Sequence, residues 1–160
     1  RGTRDESLMN ASRSRLRASI EKWMRADGHG SWANELQFVE GAGLSAENRA
    51  TPRAFLSAMR QLAKQSYFPT LWNSLPIAGD DGTLADRMKQ TIAEGKVRAK
   101  TGTLTGSYQL VGYLPKARGS NTEYIPFVIL TSTVARERGT VRKFQDALVV
   151  EMMAAVLKEP

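Results

Sequence analysis

The chain has 160 residues, 41% of them hydrophobic and 24% charged, enough for one sizeable core and too evenly mixed for a disordered segment. It contains no cysteine and one histidine, His29, which excludes disulfide scaffolds, thiolate metal sites and cysteine nucleophiles and leaves almost no material for a His-based zinc site or a Ser–His relay. The net charge of +7 suits either a surface that meets anionic polymers or a solvated one, and the scatter of basic residues from Arg1 to Lys158, with only a mild cluster at Arg13, Arg15 and Arg17, favours solvation.

From Ser12 to Ala26, Leu16, Ile20, Trp23 and Met24 make one apolar stripe, which predicts an amphipathic helix stopped by Asp27-Gly28-His29-Gly30. Leu36 to Val39 reads as a short strand, and Glu40-Gly41-Ala42-Gly43-Leu44 as a tight loop. Thr51 and Pro52 cap and start a second helix carrying Phe55, Leu56, Met59, Leu62 and Ala63, with Pro69 beyond its end. Leu75 to Gly82 reads as loop. Thr83 with Asp86 resembles a capping box for a third helix with Leu84, Met88 and Ile92 as its stripe. After Gly95 the pattern becomes β: Val97–Leu104, Tyr108–Leu114 and Tyr124–Thr133, with a polar turn at Pro115–Asn121. Short links predict an antiparallel meander, in which the nitrogen of Pro126 must face an unpaired position. Val141, Phe144, Leu148, Met152 and Ala155 predict a C-terminal helix of about five turns. Helices, a meander and a helix make an α+β chain with no internal repeat and no linker long enough to separate domains. No apolar run reaches the roughly 18 residues of a membrane span, and no signal peptide is visible.

The segment that can carry chemistry is Val97-Arg98-Ala99-Lys100-Thr101-Gly102-Thr103-Leu104. Taken alone, Lys-Thr-Gly on a strand reads better as an exposed lysine on an edge strand before a glycine bulge. As a site, it offers an ammonium, two hydroxyls on one strand face at i and i+2, and a glycine that admits another backbone closely. Such a strand can bind a carboxylate and align an extended peptide by main-chain pairing.

Three blocks then carry a family resemblance: Glu40-Gly41-Ala42-Gly43-Leu44-Ser45 running on to Pro52; Ser74-Leu75-Pro76-Ile77-Ala78-Gly79-Asp80-Asp81-Gly82-Thr83-Leu84; and Lys96 to Gly106 followed by Tyr108-Gln109-Leu110-Val111-Gly112-Tyr113. In order and spacing they resemble the D-alanyl-D-alanine carboxypeptidase/endopeptidase family, the class C low-molecular-mass penicillin-binding proteins. Glu40 and Ala42 stand where that pattern has Asp and Ser. The family's Ser-x-Asn motif is absent from the chain. Its Ser-x-x-Lys occurs only at Ser19-Ile20-Glu21-Lys22, on the first helix, where solvent-facing helix residues are a sufficient explanation. Ser45, His29, Glu40, Asp80 and Asp81 read as loop, turn and helix-start residues.

The resemblance implies the serine transpeptidase/β-lactamase-like fold, with residues 1–160 forming the C-terminal part of a penicillin-binding domain whose nucleophile lies elsewhere. It implies a serine acyl-enzyme mechanism in which Lys100 supports the proton network. Thr101, Gly102 and Thr103 would bind substrate, and the Thr103 N–H would serve the oxyanion. No metal or organic cofactor is implied. The implied partners are peptidoglycan stem peptides and β-lactams, in the periplasm or cell envelope. Without the first strands of the sheet, the Tyr124–Leu130 strand would present an edge that takes an N-terminal segment or a second copy. The competing expectation is a non-catalytic basic module for cell-wall polymer or nucleic acid, although no specific nucleic-acid contact is expected.

Overall fold

The computed structural model describes residues 2–41, 43–133 and 137–158, so Ala42 of the expected tight loop lies outside the described residues. The chain forms two compact units, Arg1–Lys64 and Gln65–Pro160, that follow each other without a linker. Among the described residues no helix is long and apolar enough to cross a membrane.

The first unit begins with helix α1, Gly2–Ala26, which extends further toward the N-terminus than its apolar stripe. Leu16 is still 43% exposed, whereas Ile20 and Met24 are buried with Ala33, Leu36 and Ala54. Among the described side chains of α1, the buried ones, Ile20 and Met24, lie in its last turns. A 3₁₀ segment, Gly30–Glu35, leads to β1, Leu36–Gln37, which pairs antiparallel with β2, Arg49–Ala50. Helix α2, Pro52–Leu62, starts as the Thr51-Pro52 pair predicts, with Thr51 Oγ1 accepting from Ala54 N at 3.3 Å. Asp27 joins the two helices by accepting from Ser57 Oγ and Gln61 Nε2, each at 3.0 Å. Glu35 accepts from Arg53 Nε at 2.8 Å and also from the Thr51 hydroxyl. The Arg53 hydrogen bond, and after it the Thr51 one, holds the Glu35 carboxyl below its ordinary value of 4.5.

In the second unit Pro69 opens a helix instead of following one: α3, Phe68–Ser74, has it in its first turn, where a missing N–H costs nothing. The expected Thr83 helix is not formed. Gly82–Leu84 is one 3₁₀ turn, and left-handed Met88 (φ 59°) and Gln90 (φ 58°) prevent any helical continuation. Non-helical hydrogen bonds take the backbone instead: Gly79 N donates to Leu84 O, Gly95 N to Ala78 O, and Gln90 N to the Glu94 carboxylate. Leu84 and Met88 are buried as their stripe requires, while Ile92 stays 39% exposed.

The expected meander is present as β3, Arg98–Leu104, β4, Ser107–Arg118, and β5, Asn121–Ser132, in the order β3-β4-β5 and antiparallel throughout. The Pro115–Asn121 turn is a correction: β4 and β5 pair out to Arg118↔Asn121, leaving Gly119-Ser120 as a two-residue turn with Gly119 at φ 61°. Pro115 is tolerated in β4 because β3 ends opposite Tyr113, so no neighbour awaits its N–H. Strand alternation points the Pro126 nitrogen away from β4, onto the outer edge of β5.

Helix α4, Arg138–Lys158, covers the sheet face that carries Ala99, Leu110, Leu114 and Phe127. Its buried residues are Gln145, Val149, Met153 and Val156, one position on from the expected stripe; Phe144 is 58% exposed. The opposite face is covered at the Tyr113 end by α3, where the Phe68 ring sits edge-on to Tyr113 and Tyr124, centroids 5.0 Å apart in each pair. Burial pushes the Tyr113 hydroxyl up to about 12.

Gly112 faces Ala99 across β3 and β4, and a Cβ there would lie 2.5 Å from Ala99 Cβ and against the Arg98 carbonyl. Gly112→Ala should therefore destabilise the second unit by about 1–3 kcal/mol, read as a lowered denaturant midpoint; an unchanged midpoint would refute this close approach. Glu35 sets a pH dependence in the first unit. Its depressed folded-state pKa stabilises the unit above the ordinary carboxylate range, and that contribution is lost as pH falls through the folded-state value. The stability gap between the protein and Glu35→Gln should accordingly narrow on acidification, measured by urea unfolding from neutral pH to pH about 3.

Candidate functional site

Strand β3 has two different edges. Its inner edge pairs with β4 along its whole length. Its outer edge is closed over the first residues by the Pro76–Ala78 segment: Ile77 bridges Arg98, Ala78 N donates to Val97 O at 2.9 Å, and Ala99 N donates to Pro76 O at 3.0 Å. No described residue continues this pairing past Ala99. Since Val97 and Ala99 direct their peptide groups outward, alternation gives Thr101 and Thr103 the same direction, and gives Lys100, Gly102 and Leu104 to β4. The open stretch thus presents the N–H and C=O groups of Thr101 and Thr103.

Side chains gather at the same edge. Lys100 is exposed and curls back so that Nζ donates to the outward carbonyl of Thr101. Thr101 is half-buried on the α4 face of the sheet, and Thr103 follows it on that face, exposed. Gly102 lies opposite Gln109; a Cβ there would meet the amide end of that side chain at 2.6 Å, a group able to move. The β3–β4 turn is Thr105-Gly106, with Gly106 at φ 72° and its carbonyl accepting from Thr133 N at 2.9 Å. An ammonium, two hydroxyls and two outward peptide units along one open edge can hold an extended chain that ends in a carboxylate.

A residue absent from the sequence-based site joins this group. Thr83, read as a helix cap, has its hydroxyl 3.1 Å from that of Thr101, which donates to it. The Asp-Gly-Thr-Leu motif contains the signal, but nothing local says that it returns to β3.

Glu40, Ser45, Asp81, His29 and Ser19 have structural positions, while Asp80 is exposed. Glu40 accepts from the backbone N–H groups of Gly43, Leu44 and Ser45 at 3.1, 2.8 and 2.8 Å, and from Asn48 Nδ2 at 2.8 Å, so it organises its own loop. Ser45 Oγ accepts from Glu47 N within that turn. Asp81 accepts from Ile77 N at 2.6 Å. His29 stacks on Trp32 with centroids 3.8 Å apart, and Arg53 lies 5.5 Å from the Trp32 ring centroid. Ser19 Oγ donates to Arg15 O, one turn earlier in α1, and Lys22 is exposed. Among the described residues no three His, Cys, Asp or Glu side chains assemble into a set of metal ligands.

The sequence profile of the D-Ala-D-Ala carboxypeptidase 3 (S13) family matches residues 27–154, which include the Glu40 loop, the Pro76–Leu84 segment and β3. The chain belongs to this carboxypeptidase family. It is 36% identical over 106 residues to the D-alanyl-D-alanine carboxypeptidase DacB of Haemophilus influenzae, covering 65% of this chain and 22% of that protein. It is 41% identical over 85 residues to a D-alanyl-D-alanine carboxypeptidase of an Actinomadura species, covering 50% and 16%. Among solved structures, penicillin binding protein 4 of Haemophilus influenzae superposes with a TM-score of 0.59 and 29% identity over 79% of this chain and 32% of that one. The same protein is also solved with a bound β-lactam. The Bdellovibrio bacteriovorus predatory endopeptidase Bd0816, at a TM-score of 0.67 and 19% identity over 89% of this chain and 37% of that one, shares the fold. The chain thus spans about a fifth of the length of these curated relatives.

Hydrogen exchange tests the two-edged strand. The amides of Ala99, Lys100 and Gly102 should be protected, and those of Thr101 and Thr103 should exchange at least about tenfold faster. Equal protection along β3 would mean that the outer edge is covered.

Proposed function

We propose that this chain forms the substrate-holding part of a serine-type D-Ala-D-Ala carboxypeptidase/endopeptidase acting on peptidoglycan stem peptides in the cell envelope. Residues 1–160 are read as the C-terminal part of a penicillin-binding transpeptidase-type domain. The observation that carries the proposal is the open outer edge of β3 from Lys100 onward, which bears an ammonium, hydroxyls and outward peptide groups together. Family membership supplies the reaction class.

In this reading a stem peptide lies along the edge of β3 as an added strand. Its terminal carboxylate accepts from the hydroxyls of Thr101 and Thr103, within the field of Lys100. A serine from another segment of the protein attacks the carbonyl carbon of the D-Ala-D-Ala bond. The Thr103 N–H, already directed outward, donates to the oxygen as negative charge develops there. Losing one such donor costs about 3–4 kcal/mol of transition-state stabilisation. The C–N bond then breaks, the leaving amine takes the proton released by the serine hydroxyl, and water hydrolyses the acyl-enzyme. Lys100 favours the anionic stages of this cycle and helps the proton move. Gly102 keeps the strand free of a side chain where the substrate backbone approaches. A β-lactam uses the same carboxylate contacts and acylates the same serine. The long outer edge of β5 takes a strand from the N-terminal segment of the protein or from a second copy.

Acylation by a fluorescent penicillin tests this reading on the complete protein that carries the chain. Lys100→Ala should slow labelling by at least about a hundredfold while the melting temperature stays within about 2 °C, because an exposed lysine adds little to packing. Unchanged labelling would remove Lys100 from the chemistry. The 160 residues alone should give no covalent adduct in a mass spectrum, and a stoichiometric adduct on Ser19 or any other serine of this chain would overturn the assignment.

A further inference from the structure

The Thr83 hydroxyl is unaccounted for by the mechanism above, yet it is held firmly in place. Leu84 is fully buried, in the same core as Val97 and Ala99. Gly79 N donates to Leu84 O at 3.0 Å and Leu84 N to Asp81 O at 3.2 Å, closing the turn. Gly82, at φ 55°, lies so near Pro76 that a Cβ would sit 3.2 Å from that ring. Pro76 is itself paired to Ala99 of β3. The turn is therefore tied to β3 through both its backbone and its buried leucine. Thr83, one residue before that anchor, is exposed, and its oxygen accepts the proton of Thr101 at 3.1 Å.

A hydroxyl has one proton and two lone pairs, so it can donate once and accept twice. In the structure Thr101 gives its proton to Thr83. A carboxylate has no proton to offer and only accepts, so binding one requires Thr101 to turn its O–H toward the ligand. That turn frees Thr83 to donate to the Thr101 oxygen. The pair then runs as a chain, Thr83 to Thr101 to carboxylate, and each hydrogen bond polarises the next.

Resting on the reading of β3 as the carboxylate-binding strand, we propose that Thr83 is a positioning residue: it sets the rotamer of Thr101 and, by reversing their hydrogen bond, strengthens the grip of Thr101 on the substrate carboxylate. It is thereby a specificity residue for acids over neutral analogues.

The test compares acylation of the complete protein by a penicillin bearing its free carboxylate and by the methyl ester of that penicillin. Valine matches threonine in shape but has no hydroxyl. Thr83→Val should lower acylation efficiency toward the acid by about 3–10-fold, the effect of one hydrogen bond, and leave the ester within about twofold. Thr83→Ser should restore most of the loss, and Thr101→Val should show a larger loss with the same preference. Melting curves of all variants check that the fold is kept. Equal losses on acid and ester, or no loss with Thr83→Val while Thr101→Val discriminates, would overturn the role of Thr83 and leave the strand reading standing. No discrimination by Thr101→Val would overturn the strand reading and this inference with it.

Discussion

Backbone pairing along β3 stops on one side before it stops on the other, and the second unit is organised around that difference. A buried peptide group needs a partner, so the first part of the outer edge is closed by Pro76–Ala78, where Val97 and Ala99 enter the core. Beyond Ala99 the strand rises to exposed Lys100 and Thr103, and water or a ligand can satisfy the same groups. An edge of this kind is an association hazard in most proteins. Here it is short, it carries a lysine, and it bends into a two-residue turn at Thr105-Gly106, so it is open over few residues and in one place.

The closure of that first part depends on an irregular segment staying irregular. Residues 75–97 contain one 3₁₀ turn and two left-handed non-glycine residues, a conformation that local preferences would not hold alone. A polar network holds it from the side. Arg87, 6% exposed, donates to Asp146 from Nε at 2.9 Å and to Gln145 Oε1 at 3.2 Å. Gln145, buried in turn, donates to Tyr108 O and to Thr131 Oγ1. One guanidinium and one amide thus connect the segment carrying Thr83 to α4, β4 and β5. Removing Asp146 would leave the buried Arg87 guanidinium without its charge partner, which destabilises the segment. Arg142, beside Arg87 and Arg138, is pushed below its ordinary value by burial first and by those two charges next.

A similar use of carboxylates marks the first unit. Glu40, where the family pattern has Asp, reaches three successive backbone N–H groups and the Asn48 amide, and Asn48 Oδ1 returns to accept from Val39 N at 2.7 Å. The longer side chain is therefore accommodated within the loop. Asp27 does comparable work between α1 and α2. Glu40 and Asp27 are thus engaged in holding a loop and a helix end.

The sequence by itself determined whatever depends on neighbours along the chain. Thr51-Pro52 starts α2, the β-prone runs after Gly95 form a meander, Gly119 makes a tight turn, and Lys100, Thr101 and Thr103 share one strand. The three blocks around Glu40, Pro76 and Lys100 were enough to name the family. Only the tertiary structure decided which face of α4 is buried. Leu148-Val149 and Met152-Met153 offer two apolar stripes a single residue apart, about 100° of rotation, and the partners of Gln145 on β4 and β5 select one of them. It also dissolved the expected Thr83 helix: Gly95 N pairs back to Ala78 O, and Met88 and Gln90 take left-handed conformations. The meeting of Thr83 with Thr101, 18 residues apart, belongs to the same class. A local pattern records preferences for neighbours three or four residues away, whereas both hydroxyls are placed by a strand edge and a buried leucine that come together only when the core closes.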